Sequence, residues 1–210
     1  LEAVTNPFNV AFGLMVMLLA VSLGALYMIN NISNEELSKR LRKSLLVSFT
    51  GFLVIFIFVV YNLFTMEGFA VNENGIITMQ EGKYLTNIID MPVVLVMFLT
   101  GAVLLVAGVV LTLIKHTFTR GIWPSAIGTV LAVMAIFMIA GYNGTAYYPS
   151  VADLQSSLTL ANSCSSEFTL KTMAIVSLII PFVVAYIAYF WHKMDKKQLT
   201  REEMETSNKY

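Results

Sequence analysis

Two histidines, one cysteine and one aspartate are the residues of this sequence best suited to chemistry, and each lies beside a long apolar run. His116 falls in a short connection between two such runs, and His192 directly follows the last one. A buried haem needs an axial ligand that projects from within packed helices. We therefore expect both imidazoles to lie at the membrane surface, where they hold neither haem nor a metal ion.

The single cysteine, Cys164, excludes an intrachain disulfide and any site built from several cysteines. It lies in a polar stretch that we expect on the opposite side of the membrane from both histidines. A thiol acts as a nucleophile when a neighbouring base or cation activates it. We interpret Cys164 as an incidental small residue.

Asp90 stands at the start of an apolar run, directly before Met91 and Pro92. Two interpretations are open for its carboxylate. It could belong to a proton route, or it could cap the N-terminus of the helix that follows, where the helix dipole favours an acid. The sequence favours the cap.

The interiors of the apolar runs contain no Asp, Glu, Lys or Arg. Ionisable groups within a membrane mark proton relays, ion pathways and counter-ions. Their absence argues against a self-sufficient pump or a charge-coupled transporter. Hydrophobic residues make up 57% of the chain and charged residues 12%, with no net charge, which excludes a soluble domain and gives no basic surface for nucleic acid.

Five uncharged apolar runs are each long enough to cross a bilayer as a helix. We predict spans at about residues 8–30, 44–65, 91–114, 121–142 and 172–191, with a cytoplasmic tail at 192–210. Pro181 should kink the fifth helix. The predicted fold class is therefore all-α, a polytopic helical bundle that forms one membrane domain over residues 1–210.

The distribution of basic residues predicts the orientation of the spans. Eleven Lys and Arg fall in the connection between the first two spans, in the connection between the third and fourth, and in the tail. The opposite side holds only Lys83 and Lys171. We expect the N-terminus outside and the C-terminus in the cytoplasm.

The two long outer connections differ in character. Residues 69–79 form two short apolar runs around Asn-Gly, a pattern typical of a β-hairpin. Residues 143–168 are rich in Ser, Thr, Asn and Tyr and contain no Lys or Arg. Such a segment suits a loop that lies against other protein at the membrane surface.

Gly101 and Gly108 are seven residues apart in the third span and so lie close to one helix face. Small residues allow helices to approach closely in lipid. We expect this groove to receive another helix of the same bundle, or else a helix of a partner subunit, and we favour the first.

Several segments together resemble a known family. They are NPFNVAFGL at 6–14, Asp90-Met91-Pro92, GYNGTAYYPS at 141–150, SSLTLANSCSSEFTLKTM at 156–173 and PFVVAYIAYFW at 181–191. In order and spacing they are similar to the C-terminal part of subunit II of cytochrome bd quinol oxidase, about helices five to nine. The resemblance implies a fragment without the first four of nine helices, which the family arranges as two four-helix bundles and a peripheral helix.

The resemblance also implies a function. The chain would be a non-haem subunit of a respiratory complex in the bacterial inner membrane, which oxidises quinol and reduces dioxygen to water during aerobic electron transport. Haems b and d and the quinol site would belong to subunit I, the heterodimer partner, and this chain would carry no catalytic residue. A small accessory subunit and the lipid membrane are the other expected partners.

Two alternative functions, from other classes of protein, remain open. One is half of a membrane transporter, with a binding site between repeats. The other is a membrane anchor or assembly protein without a redox partner. The broken helices and unpaired charges that would favour a transporter are not evident in the sequence.

Overall fold

A computed structural model describes residues 5–72, 74–150 and 152–194, and it confirms the all-α fold class. Five apolar helices are long enough to cross a membrane. The helices, in chain order, are α1 (Pro7–Asn31), α2 (Glu35–Thr65), the short α3 (Lys83–Asp90), α4 (Pro92–Ile114), α5 (Ile122–Gly141), α6 (Glu167–Ser177) and α7 (Ile180–Met194). Together α6 and α7 form the fifth membrane helix. The remainder of the expected tail, 195–210, lies outside the described residues.

The helix α2 begins at Glu35, earlier than the sequence predicts. Asn34 caps it by accepting a hydrogen bond from the backbone N–H of Leu37 at 3.1 Å. The first turn is stabilised by ion pairs four residues apart, Glu35–Lys39 at 2.9 Å and Glu36–Arg40 at 2.8 Å. A search for uncharged runs misses this turn because its residues are charged, although they are good helix formers.

The fifth membrane helix is interrupted where a kink is expected. The helix α6 ends at Ser177 and α7 begins at Ile180, one residue before Pro181. Between them, the backbone N–H of Leu178 donates to the carbonyl of Ile175 at 3.1 Å, a tighter turn than an α-helix makes. Proline lacks an N–H and clashes with the preceding turn, which explains the break.

Four of the membrane helices form a ring. The helix α1 packs on α2, α2 on α4, α4 on α5, and α5 on α1. Leu26, Leu45 and Val109 are completely buried within this ring. Stacked phenylalanines continue the core along α2 and across to α4, with ring centroids 5.5–6.3 Å apart, at Phe49, Phe52, Phe56 and Phe98. These four helices are therefore a four-helix bundle.

The fifth membrane helix has no buried residue. Every residue from 167 to 194 is exposed except Thr169, which is half-buried. Phe168, Leu178 and Phe182 are 80%, 69% and 76% exposed. The apolar side chains of this helix are therefore not buried against the bundle.

The predicted hairpin is confirmed at the end of the bundle where α2 finishes. Strand β1 (Glu67–Val71) pairs antiparallel with β2 (Ile77–Glu81), and Gly75 takes a left-handed conformation, φ +76°, in the turn. Strand β3 (Ala146–Tyr148) pairs with β4 (Leu158–Thr159), and Thr145 bridges to Ala70 of the hairpin. The two long connections thus pack on each other. We call residues 67–90 and 142–163 the cap, and the opposite end of the bundle the basic end.

Candidate functional site

The structure places the histidines and the cysteine apart from one another. His116 is exposed between α4 and α5, His192 is exposed in the last turn of α7, and Cys164 is exposed after β4. Within the described ranges, no three His, Cys, Asp or Glu side chains come together as metal ligands. A haem ligand projects from within packed helices, whereas both imidazoles are exposed; that this chain holds no haem stays a prediction.

Asp90 does not cap α4, so the expected capping role is wrong. The N-cap residue of α4 is Met91, and no side chain bonds to the first turn. Asp90 instead occupies the last turn of α3, where its Oδ2 accepts a hydrogen bond from Nδ2 of Asn143 at 3.3 Å. The short helix α3, which the sequence analysis did not anticipate, holds the carboxylate toward the connection after α5.

Asn87 is the central residue of this region and is completely buried. Its Nδ2 donates to the carbonyl of Ile139 at 2.8 Å and to Oγ1 of Thr145 at 2.7 Å. Its Oδ1 accepts from Nδ2 of Asn143 at 3.2 Å. One side chain thereby joins α3 to the end of α5 and to the turn between α5 and β3, with its polar atoms satisfied.

Lys83 is also buried, with 8% of its surface exposed. Its Nζ donates to the carbonyl of Asn143 at 2.8 Å. Burial lowers the pKa of the Lys83 ammonium, and the negative charge of Asp90 opposes that shift. Burial likewise raises the pKa of the neighbouring Tyr84 hydroxyl. We call Lys83, Asn87, Asp90, Asn143 and Thr145 the cap cluster.

A left-handed turn after α5 directs backbone carbonyls toward the cap cluster and the hairpin. Asn143 and Gly144 both have left-handed φ angles, 57° and 61°. The turn presents the Asn143 carbonyl to Lys83 and the Gly144 carbonyl to the backbone N–H of Val71, which donates at 2.7 Å. Asparagine tolerates this conformation better than most residues, and glycine adopts it freely. A cavity of about 180 Å³ remains beside the turn, lined by Val71, 141–145 and 159–161.

A glutamine side chain provides a further link within the cap. Gln155 accepts from the backbone N–H of Ile77 at 3.0 Å through Oε1 and donates to the Ile77 carbonyl at 2.9 Å through Nε2. The amide thereby satisfies both backbone groups of Ile77 as a neighbouring strand residue would. The cap is therefore joined by hydrogen bonds from the hairpin, α3 and the 142–163 connection.

A second polar link joins the two helical hairpins at the basic end. Arg42 lies in α2, is 7% exposed, and donates from Nη2 to the carbonyls of His116 at 2.9 Å and Phe118 at 3.5 Å. The sequence predicts this arginine in a loop, because the uncharged run that defines the span begins after Lys43; the helix in fact begins at Glu35. The guanidinium fastens the connection between α4 and α5 to α2.

Gly101 and Gly108 face α5. Their groove therefore receives a helix of the same bundle, which is the alternative that the sequence favours. A Cβ atom on Gly101 would lie 2.6 Å from the backbone N of Ala132, and one on Gly108 would lie 2.6 Å from the carbonyl O of Gly121. Ser125 Oγ donates across the same contact to the Leu105 carbonyl at 3.2 Å. This groove is filled from within the bundle, so it is not a surface for a partner subunit.

The fold and its polar links define a polytopic helical membrane protein whose cap cluster and Arg42 fasten connections at opposite ends. A sequence profile of the family described as cytochrome bd terminal oxidase subunit II matches residues 1–194. The chain belongs to this family, which confirms the resemblance drawn from its sequence.

The chain is also similar to curated relatives named cytochrome bd-I ubiquinol oxidase subunit 2. The proteins from Escherichia coli strain K12 and from Escherichia coli O157:H7 are each 24% identical to it over 213 residues. These matches cover 95% of this chain and 55% of each relative. The chain thus spans about half the length of the curated relatives it matches.

Proposed function

We propose that this chain is part of the non-haem subunit of a respiratory quinol:oxygen oxidoreductase in the bacterial inner membrane. The family match over residues 1–194 carries the proposal. The arrangement of the helices supports it, since one four-helix bundle with a fifth membrane helix beside it suits the second half of a subunit with two bundles and a peripheral helix.

The role we propose is to support a haem-bearing subunit I, which oxidises quinol and reduces dioxygen to water at haems b and d. Within this chain the polar residues hold loops together. The buried Asn87 has hydrogen-bond partners on α5 and in the connection that follows it, and the buried Arg42 donates to two loop carbonyls. Asp90, exposed in the cap cluster, acts here as the acceptor for Asn143 rather than as a step in a proton route.

We propose that this chain contacts and supports subunit I through the α6–α7 helix. Its apolar side chains are exposed along its length, whereas each helix of the bundle buries one face against its neighbours. A helix that another protein covers needs such a free face, because association in lipid depends on close van der Waals contact.

Purification of the native complex tests the proposal. An affinity tag on the full-length subunit should bring down a second membrane protein whose visible spectrum contains b- and d-type haem, and the eluate should consume oxygen when quinol is supplied. Membranes with the untagged subunit are the control. A tagged subunit that elutes without haem, from cells whose quinol oxidase remains in the membrane, would disprove the assignment.

Thiol labelling tests the proposed orientation. Cys164, exposed directly after the last residue of the cap, should react with a membrane-impermeant maleimide in intact cells. In a Cys164→Ser background, a cysteine introduced at Ser38 of α2 should react only after the membrane is opened. The reverse pattern would contradict the orientation that the basic residues predict.

A further inference from the structure

A groove with a basic rim runs between α1 and α2 at the basic end of the bundle. It is a shallow, widely open groove with a volume of about 470 Å³. Its lining residues are Leu18, Arg40, Lys43, Ser44, Val47 and Ser48. We call it the basic groove.

The order of the lining residues along α2 separates charge from apolar surface. Arg40, Lys43, Ser44 and Val47 recur at the i, i+3, i+4, i+7 spacing that keeps them on one helix face. At 1.5 Å per residue, Arg40 and Val47 are about 10 Å apart along the helix axis. The cations therefore form one end of the groove, its rim, and Val47, which is 67% exposed, forms its apolar part together with Leu18 of α1; we call this apolar part the floor.

The rim is positively charged even after its ion pair is counted. Arg40 binds the carboxylate of Glu36 at 2.8 Å, and both side chains are more than 70% exposed. Lys43 is exposed and has no carboxylate within ion-pair distance in the described part of the chain. Ser44, the residue after Lys43, adds an exposed hydroxyl to the rim.

The groove also lies where the charged first part of α2 meets its apolar part. Lys43 is the last charged residue of α2, and the chain is uncharged from Ser44 to Met66. A cation that directly precedes the apolar part of a membrane helix lies at the depth of lipid headgroups. The apolar floor of the groove continues from there into the part of the helix that faces hydrocarbon.

We propose that the basic groove binds an anionic phospholipid. Its phosphate would be held by Arg40 and Lys43, and the first part of one acyl chain would lie along Leu18 and Val47. The two cations complement a phosphate rather than an apolar helix, and the apolar floor suits an acyl chain rather than a free inorganic anion. The proposal does not rest on the oxidase function.

Native mass spectrometry of the intact complex provides the test. After delipidation in detergent, the protein is titrated with dioleoylphosphatidylglycerol or with dioleoylphosphatidylcholine. The unaltered protein should retain the anionic lipid in preference. The Arg40→Gln/Lys43→Gln variant should bind phosphatidylglycerol about thirtyfold more weakly, since each basic residue near the surface contributes about 1 kcal/mol and each 1.4 kcal/mol is tenfold in affinity. Its retention of phosphatidylcholine should not change.

Two matched variants separate the groove from general surface charge. Lys115→Gln removes one exposed cation from the same end of the bundle, away from the groove, and should leave lipid retention unchanged. Val47→Trp alters no charge but fills the groove, and should weaken phosphatidylglycerol binding although both cations remain. Lys43→Gln alone, at an exposed site, should weaken binding about fivefold, and it serves if the double variant does not assemble.

The proposal is overturned by any of three results. The first is an unaltered complex that retains no anionic lipid, which would mean that protein covers the groove. The second is a Lys115→Gln variant that loses as much lipid as Lys43→Gln. The third is a Val47→Trp variant that binds phosphatidylglycerol as well as the unaltered protein.

Discussion

The four helices of the bundle and the α6–α7 helix are all apolar enough to cross a membrane, yet they differ in packing. The contact between α4 and α5 contains four glycines, at 101, 108, 121 and 128, whereas residues 167–194 contain none. The bundle also buries hydroxyls, such as the pair Ser22 and Ser48, whose Oγ atoms are 2.9 Å apart. Hydropathy therefore locates a membrane helix, while small and polar residues decide whether it packs on its neighbours.

Among the substitutions below, a glycine replacement in the bundle should cause the largest loss of stability. Gly101→Leu places a branched side chain where even a Cβ would lie 2.6 Å from the Ala132 backbone N, so α4 and α5 must separate. Overpacking costs about 1–3 kcal/mol for smaller insertions, and we expect at least that loss here. The midpoint of SDS-induced unfolding of the full-length subunit, followed by helical circular dichroism, measures it.

Gly13→Leu is the matched control for this substitution. Gly13 lies in α1, and no atom of another helix comes within 4 Å of the position that a Cβ would take. The unfolding midpoint of Gly13→Leu should stay within error of the unaltered protein. A Gly101→Leu variant as stable as Gly13→Leu would show that α4 and α5 do not pack through this groove.

Two leucine truncations compare the regions directly. Leu45→Ala empties a completely buried position and should cost on the order of 2 kcal/mol, at the low end for Leu→Ala, because lipid accepts a leucine that water would reject. Leu178→Ala alters a side chain that is 69% exposed and should leave bundle stability unchanged. Equal losses in SDS unfolding would mean that the α6–α7 helix packs on the bundle.

The cap cluster should show a smaller contrast between two of its members. Asn87→Ala leaves the Ile139 carbonyl and Thr145 Oγ1 without their donor in a buried site, which should cost about 1–3 kcal/mol. Asp90→Asn keeps the size of an exposed acceptor and should change stability by less than about 0.5 kcal/mol. Quinol-driven oxygen uptake by Asp90→Asn should be normal; a large loss of turnover with unchanged stability would restore the proton-route hypothesis.

Lys83 should produce the smallest effect, a dependence of stability on pH. Its folded pKa lies below the ordinary value of 10.5, because burial penalises the charged form. The folded protein then binds fewer protons than the unfolded chain between its lowered pKa and 10.5, so stability should rise with pH within that window. Lys83→Met should remove this contribution. A wild-type stability that falls across the same window, with no such fall in Lys83→Met, would contradict the buried ammonium.

The sequence was sufficient to predict the features that depend on long or regular patterns. The five membrane helices, the hairpin around Asn74-Gly75 and the break before Pro181 all follow from such patterns. The cap cluster does not, because α3 is only eight residues long and Lys83 and Asn87 are polar. Their burial depends on the connection after α5, which lies more than 50 residues further along the chain.

One signal of α3 was nevertheless present in the sequence. Its buried residues are Lys83, Tyr84, Asn87 and Ile88, which recur at intervals of three and four and so mark one helix face. The burial of Arg42 was harder to anticipate, since its partners are backbone carbonyls of a loop. A pattern of side chains gives no indication of where a distant carbonyl will lie.

Photocrosslinking from the fifth membrane helix tests whether this helix contacts the haem-bearing subunit. A benzoylphenylalanine at 182, 183 or 184 samples three directions about 100° apart around α7, and one at the buried Phe52 of the bundle is the control. We expect that at least one α7 position yields a crosslinked product containing the haem-bearing subunit, and that position 52 yields none. Absence of such a product from all three α7 positions, in a complex that retains its haem, would contradict the proposal that this helix supports the partner subunit.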